Sequence, residues 1–244
     1  MMISIVIPAK NEEKRIGDVI DFCKNTLKDQ EKEVIVVLSK DTNDMSERIA
    51  IQKGVKVIRE NKGTGKGSGM EAGVGETKGE IIIFTDADIE NPYPQMMELL
   101  SEPILNNRAD FVKGSYTNIG VTTEFVVKPL LLYLFPELCF IKQPLSGQIA
   151  GRREFFKKVT FEPGWGVDIG ILIDMFLNNA RIKDVPLPYK DDYFKPHLEN
   201  DLWCEQIVGA ILRRAKKNNR ISKIENLQLP LLLRKFQVTL EKEL

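Results

Sequence analysis

The sequence predicts an α/β fold: a mostly parallel central sheet with helices on both faces, followed by a helical C-terminal extension. Three observations carry this expectation. Short β-branched runs alternate with helical periodicity through the first half of the chain, as parallel strands joined by crossover helices require. Polar loops follow the strands, where such sheets bind ligands. The 244 residues are 43% hydrophobic and 29% charged, which suits one cored domain with an appended piece.

Residues 3–7, ISIVI with Pro8 next, read as a buried strand. Ile16, Val19, Ile20, Cys23 and Leu27 then recur at helical spacing. Residues 33–38 form a second strand, 46–53 a helix and 56–58 a third strand. Residues 61–69 read as a Gly/Lys loop and 70–77 as a helix. Residues 80–84 form a fourth strand, closed by Thr85-Asp86-Ala87-Asp88. A helix over 94–106 and a strand over 111–114 follow. Beyond them, 143–150 and 164–170 are expected as loops, 169–178 as a helix, 181–187 as a strand and 202–217 as a long helix. The division is therefore 1–218 for the α/β domain, with halves 1–115 and 116–218, and 219–244 for the extension. That amphipathic tail packs on the domain or on a second subunit, as in a homodimer.

Composition excludes several classes. Lys+Arg and Asp+Glu stand at 35 each, which gives no electrostatic case for nucleic acid or an acidic membrane as partner. Cys23, Cys139 and Cys204 are scattered, without the spacing of a disulfide framework or a zinc site. A reducing cytoplasm fits them, and the N-terminus lacks the basic segment of a signal peptide. The apolar stretch 125–141 is interrupted by Lys128, Pro129, Pro136 and Glu137, so no integral membrane segment is expected.

Chemistry concentrates in a few places. Asp86-Ala87-Asp88 sets two carboxylates just past a buried strand, where hard oxygens can hold Mg²⁺ or Mn²⁺ on a diphosphate. Gly65-Lys66-Gly67 offers a close backbone approach and a charge to phosphate, but it is no Walker A loop, since Glu60 stands where its first glycine belongs. His197, the only histidine, is a candidate nitrogen ligand to the cation, and Asp191 or Asp192 could serve instead. No Ser or Cys has a convincing His partner, which leaves hydrolase chemistry poorly supported.

Together these segments resemble GT-A (Rossmann-like) glycosyltransferases with a nucleotide-sugar-binding domain. They are most similar to the glucosyl-3-phosphoglycerate synthase family, whose members retain anomeric configuration. IVIPAKNEE at 5–13, GKG at 65–67 and FTDADIENP at 84–92 carry the donor half of the resemblance. GVTTEFVVKPLL at 120–131, QPLSGQIAGRREFF at 143–156 and GWGVDIGILID at 164–174 carry the rest. The resemblance implies a metal-dependent hexosyltransferase using a UDP- or GDP-sugar and a small acceptor such as phosphoglycerate or glycerate. It assigns Pro8, Ala9, Glu12, Lys66, Asp86 and Ala87 to the nucleotide. Asp88 becomes the main metal ligand, joined by Asp86 and by His197 or Asp192. Leu145, Ser146 and Gly147 orient the sugar. Asp168, which meets sugar hydroxyls, and Ser146 lie nearest the reaction, and Gly120, Thr122 and Thr123 face the acceptor.

Two positions depart from the family pattern. Val121 stands where the family has an arginine that grips the acceptor phosphate, leaving Thr122, Thr123 and Lys128. The family's metal-binding histidine falls near Asp192, short of His197. Three rivals remain. A polyprenyl-phosphate sugar transferase shares the first motif and the paired carboxylates. A sugar-nucleotide pyrophosphorylase would want a glycine-rich loop after the first strand. A non-catalytic nucleotide-sugar binder would keep the site without turnover.

Overall fold

A computed structural model describes residues 1–61, 63, 65–117, 120–188 and 200–221, without the side chains of 200 and 201. Seven strands form one sheet, in the order β3-β2-β1-β4-β6-β5-β7. β1 (Ile3–Ala9), β2 (Lys32–Leu38), β3 (Lys56–Arg59) and β4 (Ile81–Phe84) run parallel. β5 (Phe111–Ser115) and β7 (Ile182–Pro186) also pair in parallel. Between β4 and β5 lies β6 (Ile149–Arg152), antiparallel to both. The expected loop at 143–150 thus ends in a strand.

The strands are apolar on both faces because helices cover both. Ile3, Ile5 and Ile7 of β1 face one core, with α1 (Ile16–Asn25), α2 (Ser46–Gln52) and α4 (Met96–Leu105). Val6, Ile35, Val37, Ile82 and Phe84 face the other, with α3 (Lys66–Glu76), α5 (Lys128–Leu134), α6 (Arg153–Phe156), α7 (Val167–Leu177) and α8 (Asn200–Lys217). Period-2 alternation sends neighbouring side chains to opposite cores, so nearly every position of β1, β4, β5 and β6 is buried, while the edge strands β3 and β7 are mostly not. In the second core Phe156 sits edge-on to Phe84 at 5.3 Å and to Phe111 at 6.1 Å. Each such pair contributes about 0.5–1.5 kcal/mol beyond area burial.

Three features place the site. β1 is flanked by β2 and β4, so the strand order reverses beside it, and the crevice opens at the carboxyl ends. Being antiparallel, β6 starts at that same edge: Phe84 pairs with Ile149, which brings residues 145–148 against the loop after β4. α3 begins at Lys66, four residues earlier than the periodicity suggested, which puts Lys66 and Gly67 in the first helical turn rather than in a loop. The 125–141 stretch forms a π-helical turn at Thr123–Val127, then α5 and a 3₁₀ turn at Pro136–Leu138. It buries Val127, Leu131 and Leu134 and leaves Val121, Phe125 and Leu132 exposed. No helix among the described residues is long and apolar enough to cross a membrane. Of the expected extension at 219–244, all beyond residue 221 lies outside the described residues.

Candidate active site

The strand-end loops are knitted together before any ligand is considered. Glu12 N donates to Ser46 Oγ at 2.9 Å, Glu13 N to Asp44 Oδ2 at 2.9 Å, and Asn43 N to Asn11 Oδ1 at 2.9 Å. Asn11 takes φ +56°, one of the few non-glycine residues for which this backbone is cheap. These bonds tie the loop after β1 to the loop after β2.

A cavity of about 600 Å³ opens over these loops. It is lined by fourteen residues that the sequence singled out: Pro8, Ala9 and Glu12; Gly65 and Lys66; Asp86, Ala87 and Asp88; Gly120 and Thr123; Leu145, Ser146 and Gly147; and Asp168. Thr122 is not on its wall. Gly120 and Thr123 are three residues apart and share a helical face, whereas the Thr122 hydroxyl turns to α8, 3.9 Å from Cys204 Sγ. His197, Asp191 and Asp192 lie outside the described residues.

The floor of the cavity is a charged knot. Lys66 Nζ lies 3.0 Å from both Asp86 Oδ1 and Asp168 Oδ2. Burial opposes the charge on Lys66, but Asp168 and Asp86 outweigh it and hold its pKa above the usual lysine range. The second oxygen of Asp86 accepts from Gln148 Nε2 at 2.7 Å. Gly147 makes this approach possible, since a Cβ there would fall 2.5 Å from both Lys66 Nζ and Asp86 Oδ1. Ser146 Oγ accepts from Gln148 N at 3.2 Å and braces the same loop. Asp168 Oδ1 is buried without a partner among the described residues, which makes it an acceptor in want of a donor hydroxyl.

Several lining residues escaped the sequence reading: Ser39, Gln148, Trp165 and Trp203 among them. Lys113 also escaped it, although a lysine inside the apolar run FVKG was a visible signal. It is fully buried, and its Nζ donates to the Asp168 backbone oxygen at 3.1 Å. Burial lowers its pKa to about 8, only partly offset by Asp168. A folded pKa below the unfolded one means that the unfolded chain binds more protons between pH 8 and 10.5, so Lys113 weakens the fold at neutral pH by about 3 kcal/mol. Lys113→Met is therefore expected to raise stability at pH 7 by ~1–3 kcal/mol. The gain should fade as pH rises through that window. Urea unfolding of both proteins at pH 7 and pH 10 checks this, and a loss of stability at pH 7 would refute it.

The site suits a divalent cation through hard carboxylate oxygens. Asp88 lines the cavity, while both oxygens of Asp86 are engaged by Lys66 and Gln148. The described residues hold no group of three ligands, so further ligands must come from the substrate, water or residues outside that set.

The model of the family described as Glycosyl transferase family 2 matches residues 4–166. Glucosyl-3-phosphoglycerate synthase of Petrotoga mobilis is 35% identical over 243 residues, covering 90% of this chain and 75% of that protein. The Mycobacterium tuberculosis synthase is 34% identical over 237 residues, covering 87% of this chain and 73% of that one. A crystal structure of the M. tuberculosis enzyme with Mn²⁺, UDP-glucose and phosphoglyceric acid superposes with a TM-score of 0.81 at 34% identity, over 88% of this chain and 80% of that one. The seven-stranded, mostly parallel sheet, the crevice at its carboxyl edge and these similarities agree: the chain is a glycosyltransferase of family 2 and belongs, within it, to the glucosyl-3-phosphoglycerate synthase family.

Proposed function

We propose that this chain transfers glucose from UDP-glucose to 3-phosphoglycerate, with retention, using Mg²⁺ or Mn²⁺. One observation carries the reading. A single cavity gathers the strand-end loops, the paired carboxylates, Lys66 and the 145–148 loop, in a chain similar to a synthase crystallised with that donor and acceptor. The base and ribose lie over Pro8, Ala9, Glu12 and Ser39. The diphosphate faces the N-terminus of α3, where the positive end of the helix dipole and Lys66 favour an anion. Asp88 holds the cation, which when bound stabilises the departing diphosphate as a Lewis acid.

Lys66 then changes partners. Paired with Asp86 and Asp168 before the donor arrives, it turns to the diphosphate, and Asp168 becomes an acceptor for sugar hydroxyls. Gly120 and Thr123 line the acceptor end. Val121, 74% exposed, offers no charge to a phosphate, so that group depends on other residues around the mouth.

The test is a screen of UDP-glucose, GDP-glucose and GDP-mannose against 3-phosphoglycerate, glycerate and a polyprenyl phosphate, reading nucleotide release and product mass. The expected product is glucosyl-3-phosphoglycerate with the anomeric configuration kept. Transfer only to glycerate would mean that Val121 marks a changed acceptor. Transfer to the polyprenyl phosphate would replace the proposal, and an inverted anomer would make Asp168 the candidate base.

A further inference from the structure

Lys66 can hold its two carboxylates only if the turn that carries it is fixed. That turn is seated on the loop before α7. Gly67 N donates to Pro163 O at 3.1 Å. A Cβ on Gly67 would fall 1.6 Å from Glu162 O, and one on Gly65, at φ +97°, 2.7 Å from Pro163 O. The contact is therefore backbone on backbone, and any shift of residues 160–166 moves Lys66 with it.

What fixes residues 160–166 is α8. All five N–H donors of Arg214 are used. Nε and Nη2 fork onto Asp174 Oδ1 and Oδ2, each at 2.8 Å. Nη2 also reaches Thr160 O at 2.8 Å, and Nη1 reaches Glu162 Oε1 at 2.6 Å and Ala210 O at 3.3 Å. Asp174 Oδ2 accepts Thr160 N at 2.9 Å, and Arg213 takes the other Glu162 oxygen at 2.6 Å. Two turns earlier on α8, Gln206 Oε1 accepts Trp165 N at 2.8 Å. Gly170 makes room for the guanidinium, since a Cβ there would stand 2.9 Å from its central carbon. Arg214 is 5% exposed and lines no part of the cavity.

We propose that Arg214 is a positioning residue for the donor: by clasping residues 160–166 between α7 and α8, it sets the Gly65–Gly67 turn and hence the reach of Lys66. The inference rests on reading the cavity as a nucleotide-sugar site. A lysine could not replace Arg214, because a single ammonium cannot serve Asp174, Glu162 and the Thr160 carbonyl in one plane.

The experiment measures UDP affinity in the presence of Mn²⁺ by calorimetry, alongside donor and acceptor KM. Arg214→Met is expected to weaken UDP binding at least about tenfold, with the acceptor KM changed less than about twofold and no rescue by Arg214→Lys. Gly170→Ala removes no charge and favours helix, yet it pushes the guanidinium aside, so it should show the same selective loss even if Arg214→Met fails to fold. Arg220→Met serves as the control. Arg220 packs on Phe135 and Phe176 away from the cavity, so its loss should lower thermal stability and leave UDP affinity unchanged. Wild-type UDP affinity in folded Gly170→Ala would overturn the proposal. Failure of the wild-type protein to bind UDP would instead overturn the nucleotide-sugar reading.

Discussion

Asp88→Ala is expected to lower turnover by about 10³-fold or more, with the fold intact. The magnitude follows from what the side chain does. A group that stabilises charge developing on a leaving group contributes roughly 10²–10³ in rate when lost singly, and on the proposed function Asp88 would hold the cation that offsets the charge of the departing diphosphate. Asp86 is poorly placed to step in, because Gln148 holds one of its oxygens at 2.7 Å and Lys66 holds the other at 3.0 Å until the donor arrives. Adding Mn²⁺ should therefore restore activity only in part. The readouts are kcat across a Mn²⁺ titration and Mn²⁺ binding in the presence of UDP. Asp86→Asn should behave differently, keeping measurable Mn²⁺ affinity while disturbing Lys66. Equal loss of Mn²⁺ binding in both variants would make Asp86 a direct ligand as well.

Much of this architecture is legible in the residues because local and global signals agree there. β1, β2 and β4 are dense in Ile and Val and bounded by polar loops, and they form as read. β6 was hidden. IAGR is four residues with a glycine inside, and its strand character comes from lying between β4 and β5, which no local pattern encodes. The start of α3 was hidden for a different reason. Gly67 and Gly69 are poor helix formers, so the sequence reads as loop up to residue 69 and as helix only from 70, although Gly73 and Gly75 follow within it. The structure shows why they are there: a Cβ on Gly73 would come 2.5 Å from Val6, so the helix lies close on the sheet. Tertiary packing wins over propensity, and the close approach delivers Lys66 to the strand ends.

The site followed the same division. Glu12, Asp86 and Asp88 could be read as candidates because each sits just past a strand end that the sequence reveals, and all three line the cavity. Gln148 was missed because its contact with Asp86 exists only through the pairing of Phe84 with Ile149. Thr122 is off the cavity wall while Thr123 is on it because neighbours in a helical turn diverge by about 100°, which a contiguous motif does not show.

Lys66→Met is the second large effect, and it separates stability from binding. The Lys66 side chain is 17% exposed, with Asp86 at 21% and Asp168 at 6%, so the knot is largely screened from water. Removing one partner from such a cluster strands the others, at about 3–5 kcal/mol. The folded pKa of Lys66 is raised, so its contribution is fully present below the unfolded lysine pKa and is lost only as pH rises through the still higher folded value. The stability deficit should therefore be the same at pH 6 and pH 7, below the range in which the neighbouring Lys113 titrates. Donor kcat/KM should fall about 10²–10³-fold, since a charge aimed at the diphosphate is gone. Adding Asp168→Asn to Lys66→Met removes one stranded charge and should recover part of the lost stability. It should not recover donor affinity, because nothing then replaces the ammonium at the diphosphate. Recovery of both would mean that Lys66 only neutralises carboxylates, and a deficit that changed between pH 6 and pH 7 would place a titrating group other than Lys113 in the knot.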